Sequence, residues 1–164
     1  MVSIAKERAV FARVALLGQL VCTAWMVGVI WVIQLVHYPS FAFVDPDVYA
    51  AFQGFHEAQV TWAVGPPMLG EIGCALALVL VSTPDVSRAL AWVGLALVGL
   101  IWFSTATMQV PAHAALGVAF DADVHRQLVN SNWLRTCAWT LRLVIAVKLL
   151  LDVLLKPISG AEGA

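Results

Sequence analysis

Of the 164 residues, 62% are hydrophobic and only 12% are charged, about half the charged share of a soluble domain. That much apolar surface must face something other than water, and lipid is the economical answer. The net charge of −1 gives no footing for nucleic-acid binding.

The chain opens with the basic stretch MVSIAKERAVFAR, followed by an apolar run. That run exceeds the ~7–15 residues of a signal-peptide core and lacks a small-residue cleavage site, so it reads as a retained membrane helix. Residues 14–36 hold no charge and are long enough to cross ~30 Å of hydrocarbon. Residues 58–81 form a second span, with an expected break at Gly65-Pro66-Pro67 and an acid, Glu71, inside it. A third span, 89–110, stops at Pro111. The fourth, 133–155, contains Arg135, Arg142, Lys148 and Asp152. One tight turn (82–87) and two longer connections join them into a single membrane domain covering 1–164. The expected fold is all-α: a four-helix transmembrane bundle. No repeat or low-complexity stretch interrupts it. Cys22, Cys74 and Cys137 lie singly in apolar runs and read as reduced, buried residues, which argues against a thiol relay.

Basic residues set the orientation. Lys6, Arg8, Arg13, Arg88 and Lys156 fall on one side, and Arg126 and Arg135 on the other. Both termini are therefore expected in the cytoplasm, in a membrane of bacterial inner-membrane type. The 37–57 and 111–132 segments then face outward and hold all four histidines, with Asp45, Asp47, Glu57, Asp121 and Asp123. Asp45-Pro46-Asp47 reads as a helix start. Tyr49, Phe52, Phe55, His56 and Gln59 come next at helical spacing, as a short interfacial helix or an outward extension of span two. Residues 120–129 read as a second short amphipathic helix. Tyr38, Trp62, Trp133 and Trp139 are placed toward the outer boundary.

A carboxyl group as deep as Glu71 costs a few kcal/mol unless paired, protonated or metal-bound. Arg142 lies at similar depth, so an ion pair is one reading; a metal ligand or proton carrier beside an anion-binding arginine is the other. Asn132, Arg135, Trp139 and Arg142 share one face of span four, although Arg135 alone reads as snorkelling to the outer interface. Gln34 and His37 end span one on one face, and Thr105, Gln109 and His113 end span three at four-residue steps. His56, fifteen residues before Glu71, can address the same cavity. His37, His56, His113 and Glu71 form a candidate ligand set for iron, copper or zinc, whereas His125 reads as a surface residue.

The order of these motifs resembles the anthrone oxygenase-like family of small four-helix membrane proteins. The resemblance rests on the HYPSF proline after span one (Pro39), the Thr107-Met108-Gln109-Val110-Pro111-Ala112-His113 ending of span three and the Asn132–Thr136 opening of span four. Gln109 and His113 stand where that family is expected to carry asparagines. The resemblance implies membrane-embedded oxidation of a lipophilic, often aromatic substrate by dioxygen, with Pro111, Asn132, Arg135 and Thr136 as matched positions.

Three functions are therefore expected in order. The first is a metal-dependent oxidoreductase at the outer face, with Asn132, Arg135, Arg142 and Glu71 serving the substrate. The second is a haem b electron-transfer protein with His37 and His113 as axial ligands. The third is a non-catalytic subunit or small transporter. The lipid bilayer is the expected surrounding, a lipophilic small molecule the expected partner, and a homo-oligomer or larger membrane complex the expected assembly.

Overall fold

A computed structural model describes residues 2–81 and 83–155, leaving Lys156 and Ser82 outside the described residues. Four long helical rods make up the chain. α1 runs Val2–Val32 and continues through a π-helical turn, Ile33–His37, to Phe43; α2 is Pro46–Leu80; α3 is Arg88–Leu116, with a π-helical turn at Thr105–Gln109; α4 is Ala122–Leu154. α1 packs on α2 and α4, and α3 packs on α4 and α2, which arranges the four rods around one interior.

The three rods α1, α2 and α3 are long and apolar enough to cross a membrane, which indicates an integral membrane protein. Their outward faces carry exposed Val21, Trp25, Trp62, Leu80 and Phe103. α4 carries more charge than a simple span, and most of that charge is locally neutralised or turned inward. Arg142 pairs with Glu71, Lys148 pairs with Asp152 at 2.9 Å one turn on, and Arg135 is buried.

The outer segments are not separate interfacial helices. α2 begins at the expected Asp45 cap, whose carboxylate accepts the Asp47 N–H at 2.9 Å, and runs unbroken to Leu80. α4 begins at Asp121, which accepts from the N–H groups of Asp123 and Val124, so 122–129 is simply its opening.

Gly65-Pro66-Pro67 does not break α2 either. Pro67 has no N–H to offer the Ala63 carbonyl one turn back. The Trp25 indole N–H of α1 donates to that carbonyl at 2.9 Å instead.

Prolines 39 and 111 act differently. Each lies two residues beyond a π-helical turn, in which the Tyr38 N–H returns to Ile33 O and the Val110 N–H to Thr105 O. Such turns insert a residue and re-aim the side chains beyond them, and they concentrate at functional sites. Residues four apart on an α-helix drift by about 40° per step. The wider turn in α3 offsets that drift and keeps Thr105, Gln109 and His113 on one wall.

α1 and α2 approach closely through small residues. A methyl group on Gly70 would come within 2.7 Å of Cys22 Sγ, and one on Gly18 within 3.0 Å of Cys74 Sγ. Cys22 and Cys74 are thus half-buried packing residues, while Cys137, expected to be buried, is exposed on the outer face of α4.

Candidate functional site

Two polar layers cross the apolar interior, and α4 supplies an arginine to each. In the deeper one the Glu71 carboxylate accepts from Thr23 Oγ1 at 2.6 Å, Trp139 Nε1 at 2.8 Å and Arg142 Nε at 2.9 Å. Arg142 Nη1 also donates to the Gly94 carbonyl at 2.6 Å, close to the open side of that glycine. Each rod contributes one partner or more, and both charges are fully enclosed. Glu71 and Arg142 therefore form a structural clamp. Neither is free to take the substrate or metal expected of it.

Arg135 forms the second layer, two turns nearer the histidines. It is buried rather than snorkelling: its exposure is 7%. Nε donates to Asn132 Oδ1 at 3.0 Å, Nη1 to Thr105 Oγ1 at 3.3 Å and Nη2 to the Tyr38 hydroxyl at 3.3 Å. Asn132 donates in turn to Gln34 Oε1 at 2.9 Å, and Gln34 donates to the Val129 carbonyl at 3.2 Å. Every partner of Arg135 is neutral, and among the described residues no carboxylate pairs with it. Trp139 stands between the layers, donating to Glu71 while its ring lies 5.9 Å beneath the Arg135 guanidinium, a cation–π contact.

All four histidines gather at one end of the bundle, and the rings of His37, His56 and His113 follow one another at centroid spacings of 4.6 and 5.1 Å. His37 Nε2 and His56 Nδ1 share a proton at 2.8 Å, and His56 Nε2 is buried without a partner. His113 sits between Gln53 Nε2 at 2.7 Å and the Tyr38 hydroxyl at 2.9 Å. The Gln53 amide also donates to Glu57 Oε1 at 3.3 Å, which orients its NH₂ toward both groups. His113 Nδ1 must then accept, and its Nε2–H donates to Tyr38. Tyr38 thus receives two hydrogen bonds, one from His113 and one from Arg135, and its own O–H is left for a third partner. His125 is a structural residue rather than a surface one. Its Nε2 bonds the Tyr38 carbonyl at 2.8 Å and its ring stacks on Phe41.

The donor set does not fit the expected metal. Glu71 lies about 22 Å along a continuous helix from His56. His113 is turned to Tyr38 and Gln53, and His37 and His56 face each other. Among the described residues no group of three His, Cys, Asp or Glu side chains can hold a metal ion. Of the two histidines expected to ligate haem, His113 has both ring nitrogens in hydrogen bonds, and His37 is bonded to His56 through Nε2.

A cavity of about 340 Å³ lies beside the second layer. Met26, Ile30, Val60, Val64 and Met68 form its apolar wall. Its polar wall is Tyr38, Thr105, Gln109, His113 and Arg135, with half-buried Glu57 also on the lining. Gln109 donates to Ser131 Oγ at 3.0 Å, and its buried Oε1 has no partner.

Sequence reasoning did not single out Tyr38, Gln53 or Glu57 as site residues. Gln53, His56 and Glu57 do share one helical face, a signal that was available. The aim of Tyr38 depends on the π-helical turn and was not. Comparisons with protein-family models, curated proteins and solved structures give no match for this chain.

Proposed function

We propose that this protein binds a lipophilic carbonyl compound, taken from the bilayer, with its oxygen against Arg135 and Tyr38. The observation that carries this reading is a buried guanidinium with only neutral partners on the wall of an apolar cavity. A buried charge left without a counter-charge is costly, and an oxygen bearing partial or full negative charge would offset that cost. Tyr38 adds a hydroxyl whose proton is uncommitted, fixed from behind by His113. Fixed donors in a water-poor site are also what stabilises a developing oxyanion.

The membrane placement belongs to the proposal: four spans, both termini on the cytoplasmic side, and the histidine end outward. The single-domain, bacterial inner-membrane reading goes with it. The oxidation implied by the family resemblance would act on the molecule held here. It is tested separately, by oxygen consumption with ligand bound.

The binding test uses 2-tetralone and its hydrocarbon counterpart tetralin, titrated calorimetrically into protein in lipid nanodiscs. The ketone is expected to bind at least tenfold more tightly than tetralin, a difference of about 1.4 kcal/mol. Arg135→Gln and Tyr38→Phe should each erase most of that margin. Equal affinity of the two compounds for the natural protein overturns the reading.

A further inference from the structure

Arg135 is not alone in lacking a counter-charge. Glu57 lines the same cavity, is half-buried, and has the neutral Gln53 amide as its side-chain partner at 3.3 Å. No cation pairs with it among the described residues. The two charges are opposite in sign and share one cavity, yet do not touch. A relay of neutral groups connects them: Gln53 bridges Glu57 to His113, His113 holds the Tyr38 hydroxyl, and that hydroxyl accepts from Arg135. The relay holds the Glu57 carboxylate and the Arg135–Tyr38 pair on the lining of one largely apolar cavity.

A molecule seated with its carbonyl oxygen on Arg135 and Tyr38 would fill that space. Its carbon next to the carbonyl is then the part available to Glu57. We infer that Glu57 is a catalytic base that removes a proton from the carbon beside the carbonyl of the bound compound, an inference that rests on the binding reading above. The C–H bond breaks and its electron pair becomes the new C=C bond. The carbonyl π pair moves to oxygen, where Arg135 and the Tyr38 O–H hold the enolate. Glu57 leaves the step as a carboxylic acid. Returning the proton, or one exchanged with water, to the carbon restores the ketone; returning it to a different carbon of an extended system isomerises the molecule. The step is balanced without an oxidant or reductant. Carboxylate bases of this kind contribute about 10²- to 10⁴-fold.

The test measures loss of label from 2-tetralone carrying deuterium at C1, by mass spectrometry, in nanodiscs at neutral pH. The natural protein should accelerate washout well above empty nanodiscs. Glu57→Gln should lower the protein-dependent rate at saturating ketone by about 100-fold. Glu57→Asp, which keeps the carboxylate one methylene back, should retain part of the rate. Binding of the ketone without accelerated washout overturns the inference and leaves the binding reading standing. So does washout by Glu57→Gln as fast as by the natural protein. Failure of the ketone to bind overturns both together.

Discussion

Arg142 and Arg135 lie seven residues apart on one face of α4, about 10 Å along its axis, and are both buried. They nevertheless occupy opposite situations. Around Arg142 a carboxylate, a backbone carbonyl, a threonine and an indole close the site completely. Around Arg135 there are only neutral acceptors on one side and apolar space on the other. Burial alone therefore does not tell a structural arginine from one proposed to bind a ligand. The separating criterion is whether the protein itself supplies the counter-charge.

The largest effect expected from breaking this contrast is at Glu71. Glu71→Gln leaves Arg142 as an enclosed cation without its partner and should lower stability by about 3–5 kcal/mol, read by denaturant unfolding in detergent micelles. A double replacement, Glu71→Leu with Arg142→Leu, should recover much of that loss. If Glu71→Gln is neutral, the deeper layer is not a clamp.

Next comes the α1–α2 seam beside the deeper layer, where Gly70 adjoins Glu71 and Cys22 adjoins Thr23. Gly70→Ala forces a methyl group against Cys22 and should cost about 1–3 kcal/mol, with Cys22→Ala beside it relieving the clash. The same unfolding measurement serves.

At Arg135 the order of effects should reverse. Arg135→Gln should change stability less than Glu71→Gln does, while reducing ketone affinity about tenfold. An Arg135→Gln protein as unstable as Glu71→Gln would erase the distinction between the two layers.

The smallest effect is expected from His37→Ala, which removes one half of a histidine pair that makes no hydrogen bond to the Tyr38 hydroxyl. Ketone affinity should stay within about twofold, whereas His113→Ala, which releases that hydroxyl, should weaken it severalfold. A large loss in His37→Ala would bring the His37–His56 pair into the site.

The deeper layer was readable from the amino-acid sequence as one of two alternatives, because Glu71 is the single charged residue of its span and Arg142 lies at the same depth. The upper layer was only half readable. Arg135 stands at the edge of its apolar run, where hydropathy cannot separate an inward side chain from one that reaches the interface. Its partners were harder still to see. Asn132 and Thr105 stood on the expected faces, but Tyr38 reaches the cavity just beyond a π-helical turn, whose extra residue changes the periodicity on which face assignments depend. The gathering of the histidines at one end was a consequence of topology. Their hydrogen bonds, His37 to His56 and His113 to Tyr38, came from tertiary contacts that no spacing encodes. Glu57 reads as one more outer acid, because only the tertiary fold shows the cavity that it lines.

The Trp25–Ala63 hydrogen bond has a consequence for how the protein is assembled. A carbonyl stripped of its helical partner inside hydrocarbon costs several kcal/mol, and Pro67 strips Ala63 in this way. The only group meeting that demand among the described residues belongs to the preceding helix. α2 is therefore not a self-sufficient transmembrane element, and α1 and α2 form a hairpin that should enter the bilayer as one unit.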